Sequence, residues 1–242
     1  MAKKVFLGIG HGGSDPGAVA NGFEEEDLNL TIGLACRDEL VRHGVEVLMS
    51  RTKDEDDPMA EVVKECNTFN PDLAADIHNN AGGGDGAEVF HHHGGGTSKT
   101  MAQNVLDAIV SIGQNSRGIK TRTRSDGRDH YAFIRDTKPP AIIVECAFVD
   151  NKTDIKIIDT TAEQKAMGVA IAKGLLKTLG IKYKENTVNN DYSNHWAAKA
   201  IQTVIDKKIM VGDGAGKFRP NDKITRAEVA QTIANLLKYL GK

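Results

Sequence analysis

The sequence contains no long apolar run. No stretch of its 242 residues approaches the ~20 consecutive apolar residues that a membrane-spanning helix requires. The N-terminus, MAKKVFLGIGHGG, also lacks the apolar segment and the small-residue cleavage site of a signal peptide. These absences predict a soluble chain that does not insert into a membrane and is made in the cytoplasm without an export signal.

Cysteine is scarce, and its spacing excludes the usual paired motifs. The three residues, Cys36, Cys66 and Cys146, are odd in number and form no C-x-x-C pair. Each lies in an apolar pattern, which predicts a reduced and mostly buried thiol. A reactive thiol is the alternative interpretation.

The net charge is small but unevenly distributed. Residues 1–180 carry 20 Lys and Arg against 27 Asp and Glu, a net charge of -7, whereas residues 181–242 carry 11 against 6, a net charge of +5. The polar segment after Gly180 separates these parts. We therefore predict a first domain at 1–180, a linker at 181–189 and a second domain at 190–242. No nucleic-acid partner is expected.

Strand patterns alternate with helical patterns along the first domain. This alternation predicts an α/β fold with a mostly parallel twisted sheet and helices on both faces. Right-handed crossovers then bring the carboxyl ends of the strands to one edge. The second domain is predicted to be a small α-helical hairpin. The predicted strands are Lys4–Ile9, Val45–Ser50, Leu73–Ile77, Ala87–Phe90, Tyr131–Ile134 and Ala141–Val149, and the predicted helices of the first domain are Glu25–His43, Pro58–Phe69, Ser98–Ile112 and Thr161–Leu179.

The segment GIGHGG, residues 8–13, allows two interpretations. Its glycines fit the G-x-G-x-x-G turn of a dinucleotide site, and Arg51 would suit a 2′-phosphate, as in an NADP-dependent Rossmann enzyme. That turn must open a helix, but the following SDPGAVANG delays any helix until about Glu25. The context favours the second interpretation, in which His11 is a metal ligand.

Ligand-type side chains follow several of the predicted strands. His11 and His78 each follow a strand, and Glu25 begins the first long helix. Two imidazoles and one carboxylate form the open ligand set of a catalytic zinc, with a fourth position left for water. Singly, each has a structural interpretation: a hydrogen-bonded histidine, or an acid at a helix N-terminus. Glu145 lies within an apolar run, where a buried carboxylate requires a partner or a function.

Five motifs occur in a fixed order: HGGSDPGA, EEDLNLTIGLACRDELVRHGVEVLMSRTKD, IHNNAGG, GAEVF and PPAIIVECAFVDN. Over nearly all of residues 4–179, they resemble the zinc-dependent N-acetylmuramoyl-L-alanine amidases of the amidase-3 family. The resemblance implies that His11, Glu25 and His78 hold Zn²⁺. It also implies that Glu145 is the catalytic carboxylate.

Two positions depart from the family pattern. The common Glu-Lys-Asp is Glu25-Glu26-Asp27 here, so Glu24 or Glu26 is an alternative ligand, although alignment on DLNL favours Glu25. Asp76 stands where a serine is expected, two residues before the second histidine. This second departure leaves the ligand itself unchanged.

The resemblance implies hydrolysis of the amide bond between N-acetylmuramic acid and L-alanine in peptidoglycan. Glu145 would take a proton from the attacking water and return it to the departing amine. Asn79 and His130 are candidate substrate-binding residues, although His130 could equally begin the core. His91–His93 are predicted to lie at the cleft rim or the surface. A catalytically silent wall-anchored protein is the alternative function.

The C-terminal segment DYSNHWAAKAIQTVIDKKIMVGDGAGKFRPNDKITRAEVAQTIANLL resembles one S-layer homology motif. That family binds anionic secondary cell-wall polysaccharides, which suits the positive charge of this domain. Arg226 is the better candidate for sugar contact, whereas Trp196 is also expected to anchor the hairpin core. Together the two domains indicate a phage-type endolysin or an autolysin. Because members usually carry three motifs, a single one predicts a homo-oligomer through residues 190–242.

Overall fold

The computed structural model describes residues 2–185, 191–213 and 217–241. Its contacts divide the chain into two compact units, Met1–Lys184 and Glu185–Lys242. Residues 186–189 of the predicted linker, residue 190, and residues 214–216 of the GDGAGKFRPND loop lie outside the described residues, as does residue 242. Among the described residues, no helix is both long and apolar enough to cross a membrane.

A six-stranded sheet forms the centre of the first unit, with the strand order β4-β1-β5-β8-β6-β7. Neighbouring strands are parallel except for β6 and β8, which are antiparallel. The predicted α/β class with a mostly parallel sheet is therefore confirmed. The strands of this sheet are β1 Lys4–Ile9, β4 Glu46–Met49, β5 Leu73–Asn80, β6 Ala87–His91, β7 Ser116–Lys120 and β8 Ala141–Phe148, and β2 Val19–Ala20 pairs with β3 Phe23–Glu24 in a separate ribbon.

Helices cover both faces of the sheet unequally. Three long helices pack on one face, where they bury most of the apolar core. The opposite face carries two shorter helices over a smaller cluster that includes Phe6, Phe90 and Phe133. The helices are α1 Glu25–Arg42, α3 Thr97–Val110 and α5 Thr161–Thr178 on the first face, α2 Met59–Phe69 and α4 Ala132–Asp136 on the second, and a 3₁₀ turn spans Asp154–Ile157.

The strand register determines which side chains share the second face. Side chains alternate between the two faces of a strand, so Asp76 and His78 point to the same side as Ala74. Ala74 lies in the cluster beneath the short helices. In β8, Glu145 likewise shares a face with Ile143 of that cluster. The side chains of Asp76, His78 and Glu145 therefore lie on the same face of the sheet as the apolar cluster beneath the short helices.

Two predictions about elements in the first unit were wrong. Tyr131–Ile134 was predicted as a strand, but the chain forms helix α4 at Ala132–Asp136. The edge strand β7 was missed, because its sequence SRGIK has no apolar alternation and its residues are exposed or half-buried. The direction of β6 also differs from the expectation of a common carboxyl edge, because β6 runs opposite to β8.

The three thiols are free and buried, as predicted. Burial raises the pKa of Cys66 to about 12 and that of Cys146 well above its usual range. A thiol with so high a pKa carries almost no thiolate near neutral pH. The alternative of a reactive cysteine therefore has no support from the structure.

The second unit contains helices α6 Ala198–Asp206 and α7 Arg226–Tyr239. Its small core contains Tyr192, Ile201 and Ile209, and α7 contributes no buried residue. Trp196 is 93% exposed, so the prediction that it anchors the hairpin core was wrong. Its indole ring lies against the ring of His195, with centroids 5.5 Å apart, and is otherwise accessible to solvent.

Candidate metal centre

His11 lies two residues after the end of β1 in a strained backbone conformation. Its φ of 64° is in the left-handed region, which a residue with a side chain rarely adopts. The ring is held between two carboxylates: Nδ1 lies 2.8 Å from Asp15 Oδ2 and Nε2 lies 3.3 Å from Glu25 Oε2. The hydrogen bond with Glu25 raises the pKa of His11, even though burial opposes this rise.

Glu25 is the first residue of α1 and is only 4% exposed. The backbone N–H of Ala18 donates to its Oε2 at 3.0 Å, and the backbone N–H of Asn79 donates to its Oε1 at 3.1 Å. Burial alone would raise the pKa of Glu25, but the hydrogen bonds with His11 and His78 hold it well below its usual range. This carboxylate therefore stays ionised between the two imidazoles.

The neighbouring acids of the EEED run do not face the histidines. Glu24 is exposed at the end of β3. Glu26 is buried, and burial together with the nearby carboxylate of Asp54 raises its pKa. Of the three candidate ligands in this run, the structure brings only Glu25 into hydrogen-bonding distance of His11 and His78.

Each ring nitrogen of His78 contacts a carboxylate. Nδ1 lies 3.2 Å from Glu25 Oε1, and Nε2 lies 3.3 Å from Asp76 Oδ2. Burial lowers the pKa of His78, but the carboxylates of Asp76 and Glu25 outweigh this effect and raise it well above its usual range. Asp76 is itself buried, so it holds the ring from within the protein.

The glycines of the opening motif provide space for this histidine. A Cβ on Gly10 would lie 2.1 Å from His78 Cε1, and a Cβ on Gly8 would lie 2.5 Å from Asp76 Oδ1. Arg51, which the dinucleotide interpretation assigned to a phosphate, is buried and donates to the backbone oxygens of Ile9 and Gly10. Both features contradict a phosphate-binding loop.

The donor set fits a divalent transition metal. One ligand atom from each of His11, Glu25 and His78 lies within 4.8 Å of the others. Imidazole nitrogens and a carboxylate oxygen are ligands that zinc prefers, and a set of three leaves a position open. The raised pKa values of both histidines indicate that the surrounding carboxylates favour a positive charge here. A zinc ion would supply that charge.

Glu145 lies beside this group on the neighbouring strand. The register pairs it with His78 in β5 and with Glu88 in β6. Burial raises the pKa of Glu145 to about 7; His78 opposes this shift, whereas the carboxylates of Glu25 and Glu88 add to it. A carboxyl group with a pKa near neutrality can both accept and return a proton.

The remaining candidates of the first unit are Asn79, His130 and His91–His93, of which Asn79 contacts Glu25 through its backbone N–H. Asn79 is buried, and its side-chain amide donates to Asn29 Oδ1 at 2.8 Å. His130 is exposed, and its ring contacts Tyr131; none of the described contacts joins it to the metal group. His91 is buried, contrary to its predicted surface position, whereas the two histidines that follow it are exposed.

Several residues around the site were not predicted from the sequence. Asp76 was noted only as a departure from a family pattern, yet it contacts the ring of His78. Asp15 contacts His11, and Arg51 fixes the backbone before it. A buried acid two residues before a histidine in an apolar strand is a signal that could have identified Asp76. A cavity of about 480 Å³ lies beside the metal group and is lined in part by Asp76, His78 and Val62.

In the second unit, Arg226 is the first residue of α7 and is exposed. A cleft of about 670 Å³ in this unit is lined in part by Arg219, Lys223 and Phe218. Neither Arg226 nor Trp196 lines this cleft. The two residues predicted from the sequence are therefore accessible, but they lie outside this cleft.

The chain resembles known proteins over most of its length. The N-acetylmuramoyl-L-alanine amidase family matches residues 5–177, and the S-layer homology domain family matches residues 190–230. The N-acetylmuramoyl-L-alanine amidase CwlM of Bacillus licheniformis is 34% identical, covering 75% of this chain and 73% of the relative. The endolysin of Bacillus phage SPP1 is 30% identical, covering 76% of this chain and 69% of the relative.

A solved structure with the same fold is Cwp6 from Clostridium difficile, which is 38% identical with a TM-score of 0.73. The match covers 74% of this chain and 30% of the Cwp6 chain. The family match extends over the whole sheet, the four residues of the site and the helices around them. The chain belongs to the N-acetylmuramoyl-L-alanine amidase family and carries one S-layer homology domain.

Proposed function

We propose that His11, Glu25 and His78 hold the zinc ion of this amidase and that Glu145 moves the proton during hydrolysis. The protein acts on the cell wall, where it cleaves the bond between N-acetylmuramic acid and L-alanine of peptidoglycan. The observation that carries the proposal is that both histidines contact the buried Glu25. Beside them, Glu145 of β8 pairs with His78 of β5 in the sheet. The catalytic part corresponds to residues 1–180, the linker to 181–189 and the wall-binding part to 190–242.

The proposed roles follow from the contacts of each side chain. Zinc supplies a Lewis acid that polarises a carbonyl and lowers the pKa of water. Glu25 and the two histidines would hold the ion. Asp76 Oδ2 accepts a hydrogen bond from His78 Nε2, which would leave Nδ1, the nitrogen nearest Glu25, as the ligand atom of this ring. Glu145 accepts the proton of the attacking water. It then returns this proton to the nitrogen of the departing L-alanine, which leaves as an amine.

We further propose that the second unit binds an anionic wall polysaccharide and associates with copies of itself. The accessible Arg226 and Trp196 support the first role, because a guanidinium pairs with anionic groups and an indole packs on sugar rings. The second role is supported by the apolar side chains that α7 exposes, among them Ile233 and Leu237. Self-association would bury this surface and multiply weak sugar contacts.

Substitutions at the site should separate metal binding from proton transfer. We expect His78→Ala to lose one zinc ion per chain together with lytic activity, because a ligand is removed. Glu145→Gln should retain that zinc and lose about 10²–10⁴-fold in kcat, the usual contribution of a general base. Zinc content by atomic absorption and the rate of peptidoglycan solubilisation measure both effects. Glu46→Gln, at the exposed edge of the sheet, is the control, and near-normal lysis by Glu145→Gln would contradict the assignment.

The role of Asp76 can be measured as zinc affinity. Removing a carboxylate that orients a ligand histidine typically weakens metal binding about 10–100-fold, so Asp76→Ala should raise the zinc Kd by this amount. Asp76→Asn, which keeps an acceptor oxygen, should recover part of the loss. Asp57→Asn is the matched control, because Asp57 lines the same cavity. Equal zinc affinity in Asp76→Ala and the wild type would refute a positioning role.

The cleaved bond can be identified from the products. Digestion of peptidoglycan should release new alanine amino termini without new reducing sugar ends, because glycoside hydrolysis requires paired carboxylates that flank a glycosidic bond. Amino-terminal labelling and a reducing-sugar assay on the same digest measure the two products. Boiled enzyme provides the background. Reducing ends at a yield matching the amino termini would overturn the proposed reaction.

Self-association predicts a size difference between the full chain and a truncation. The full-length protein should be an oligomer in light scattering at micromolar concentration, a trimer if the usual three-motif geometry is restored, and a chain ending at Gly180 should be a monomer. Leu237→Lys should dissociate the oligomer, whereas Gln231→Lys, a polar position on the same helix, should not. Arg226→Ala should weaken binding to purified walls without changing the size. A monomeric full-length protein would exclude this mode of assembly.

A further inference from the structure

A second group of metal-ligating side chains lies outside the catalytic site. His92 and His93 follow β6, and Asp129 lies two residues before Tyr131 at the N-terminus of α4. His92 Nε2 lies 3.2 Å and His93 Nδ1 2.9 Å from Asp129 Oδ2. One ligand atom from each residue lies within 4.8 Å of the others. We propose that these three residues form a second site for a divalent first-row transition metal such as Zn²⁺.

The carboxylate of this site is rigidly held. Asp129 is 3% exposed, and its Oδ1 accepts the backbone N–H of His93 at 3.0 Å. Arg135 donates to its backbone oxygen at 3.2 Å, which fixes the main chain at this point. A buried carboxylate with two imidazoles at one oxygen is a preorganised anionic ligand, which lowers the entropic cost of binding a cation.

The imidazole rings of His92 and His93 are accessible to solvent, whereas the carboxylate of Asp129 is buried. The side chains of His92 and His93 are 48% and 42% exposed, and their rings stack with centroids 4.6 Å apart. An ion can therefore reach the two nitrogens from solvent and keep water molecules in its remaining positions. Two imidazoles and one carboxylate favour zinc, nickel or copper over magnesium, which prefers oxygen ligands.

Metal binding has a cost at both imidazoles, because the ring nitrogens that face the carboxylate of Asp129 donate to it and must give up their protons to bind an ion. The backbone N–H of Gly94 donates to His92 Nδ1 at 3.0 Å, which places the ring proton on Nε2, the nitrogen nearest Asp129. A metal on Nε2 requires the proton to move to Nδ1 and the contact with Gly94 to open. Gly94 is the first of three consecutive glycines, so the loop can make this adjustment with little steric resistance. Binding should therefore be weaker here than at the catalytic centre.

This site is separate from the catalytic group because β6 runs antiparallel to β8. Glu88, near the start of β6, pairs with Glu145, whereas His91 at its end pairs with Ile142. At about 3.3 Å per residue, His92 lies roughly 13 Å along the strand from Glu88. A bound ion would join the end of β6 to the segment before α4. We therefore expect it to stabilise the fold without taking part in hydrolysis.

The experiment is a zinc titration of the full-length protein after removal of metal with a chelator. The wild type should bind two zinc ions per chain, and His93→Ala and Asp129→Asn should each bind one. Asp126→Asn, an exposed aspartate in the same loop, is the matched control and should bind two. Zinc beyond the first equivalent should raise the Tm of the wild type but not of His93→Ala, and Mg²⁺ should not replace it.

The proposal of a second site is overturned if the wild type saturates at one zinc ion and His78→Ala removes that ion. His92, His93 and Asp129 would then form only a hydrogen-bonded group. It is also overturned if the second ion persists in His93→Ala, or if Mg²⁺ binds equally well. His93 is exposed, so its substitution tests the site even if the Asp129 variant fails to fold. A single zinc ion that survives His78→Ala and is lost in His93→Ala would support this site and contradict the catalytic ligand set instead.

Discussion

The contacts of the Glu25 carboxylate fix the arrangement of the polar side chains at the carboxyl ends of β1 and β5. This carboxylate contacts two histidines that lie 67 positions apart in the sequence, His11 and His78, and it accepts hydrogen bonds from the backbone N–H groups of Ala18 and Asn79. A buried ionised carboxylate requires such compensation, because its desolvation is costly. The first turn of α1, the loop after β1 and the end of β5 are therefore held in one geometry by a single side chain.

Space is the second constraint on this edge. The ring of His78 lies across the backbone of β1, and only a residue without a Cβ leaves room for it at Gly10. On the two neighbouring strands β5 and β8, Asp76 and Glu145 lie on the same face of the sheet as the apolar cluster beneath the short helices. A sequence pattern that resembles a phosphate loop thus arises from side-chain packing around an imidazole.

The sequence predicted most of the fold because its signals were local. The long helices α1, α3 and α5 have clear apolar periodicity, and their observed ends lie within two residues of the predicted ones. Four apolar residues at 131–134 cannot distinguish a strand from a helix by periodicity, and the polar edge strand β7 has no apolar pattern at all. The meeting of His11, Glu25 and His78 was predictable because parallel strands align their carboxyl ends. The exposure of Trp196 and the reversed direction of β6 depend on tertiary packing, which no short pattern encodes.

The strand β8 is made late in the sequence but occupies a central position in the sheet. This strand is the last of the sheet in the sequence, yet it lies between β5 and β6, so that it joins two halves that are otherwise unconnected by strand pairing. Glu145 lies on that strand. The three ligand residues lie on segments that precede β8 in the sequence, whereas the carboxylate beside them does not. Pairing of β8 with β5 and β6 therefore closes the sheet and completes the site in the same step, and the site lacks its carboxylate until that strand has been made.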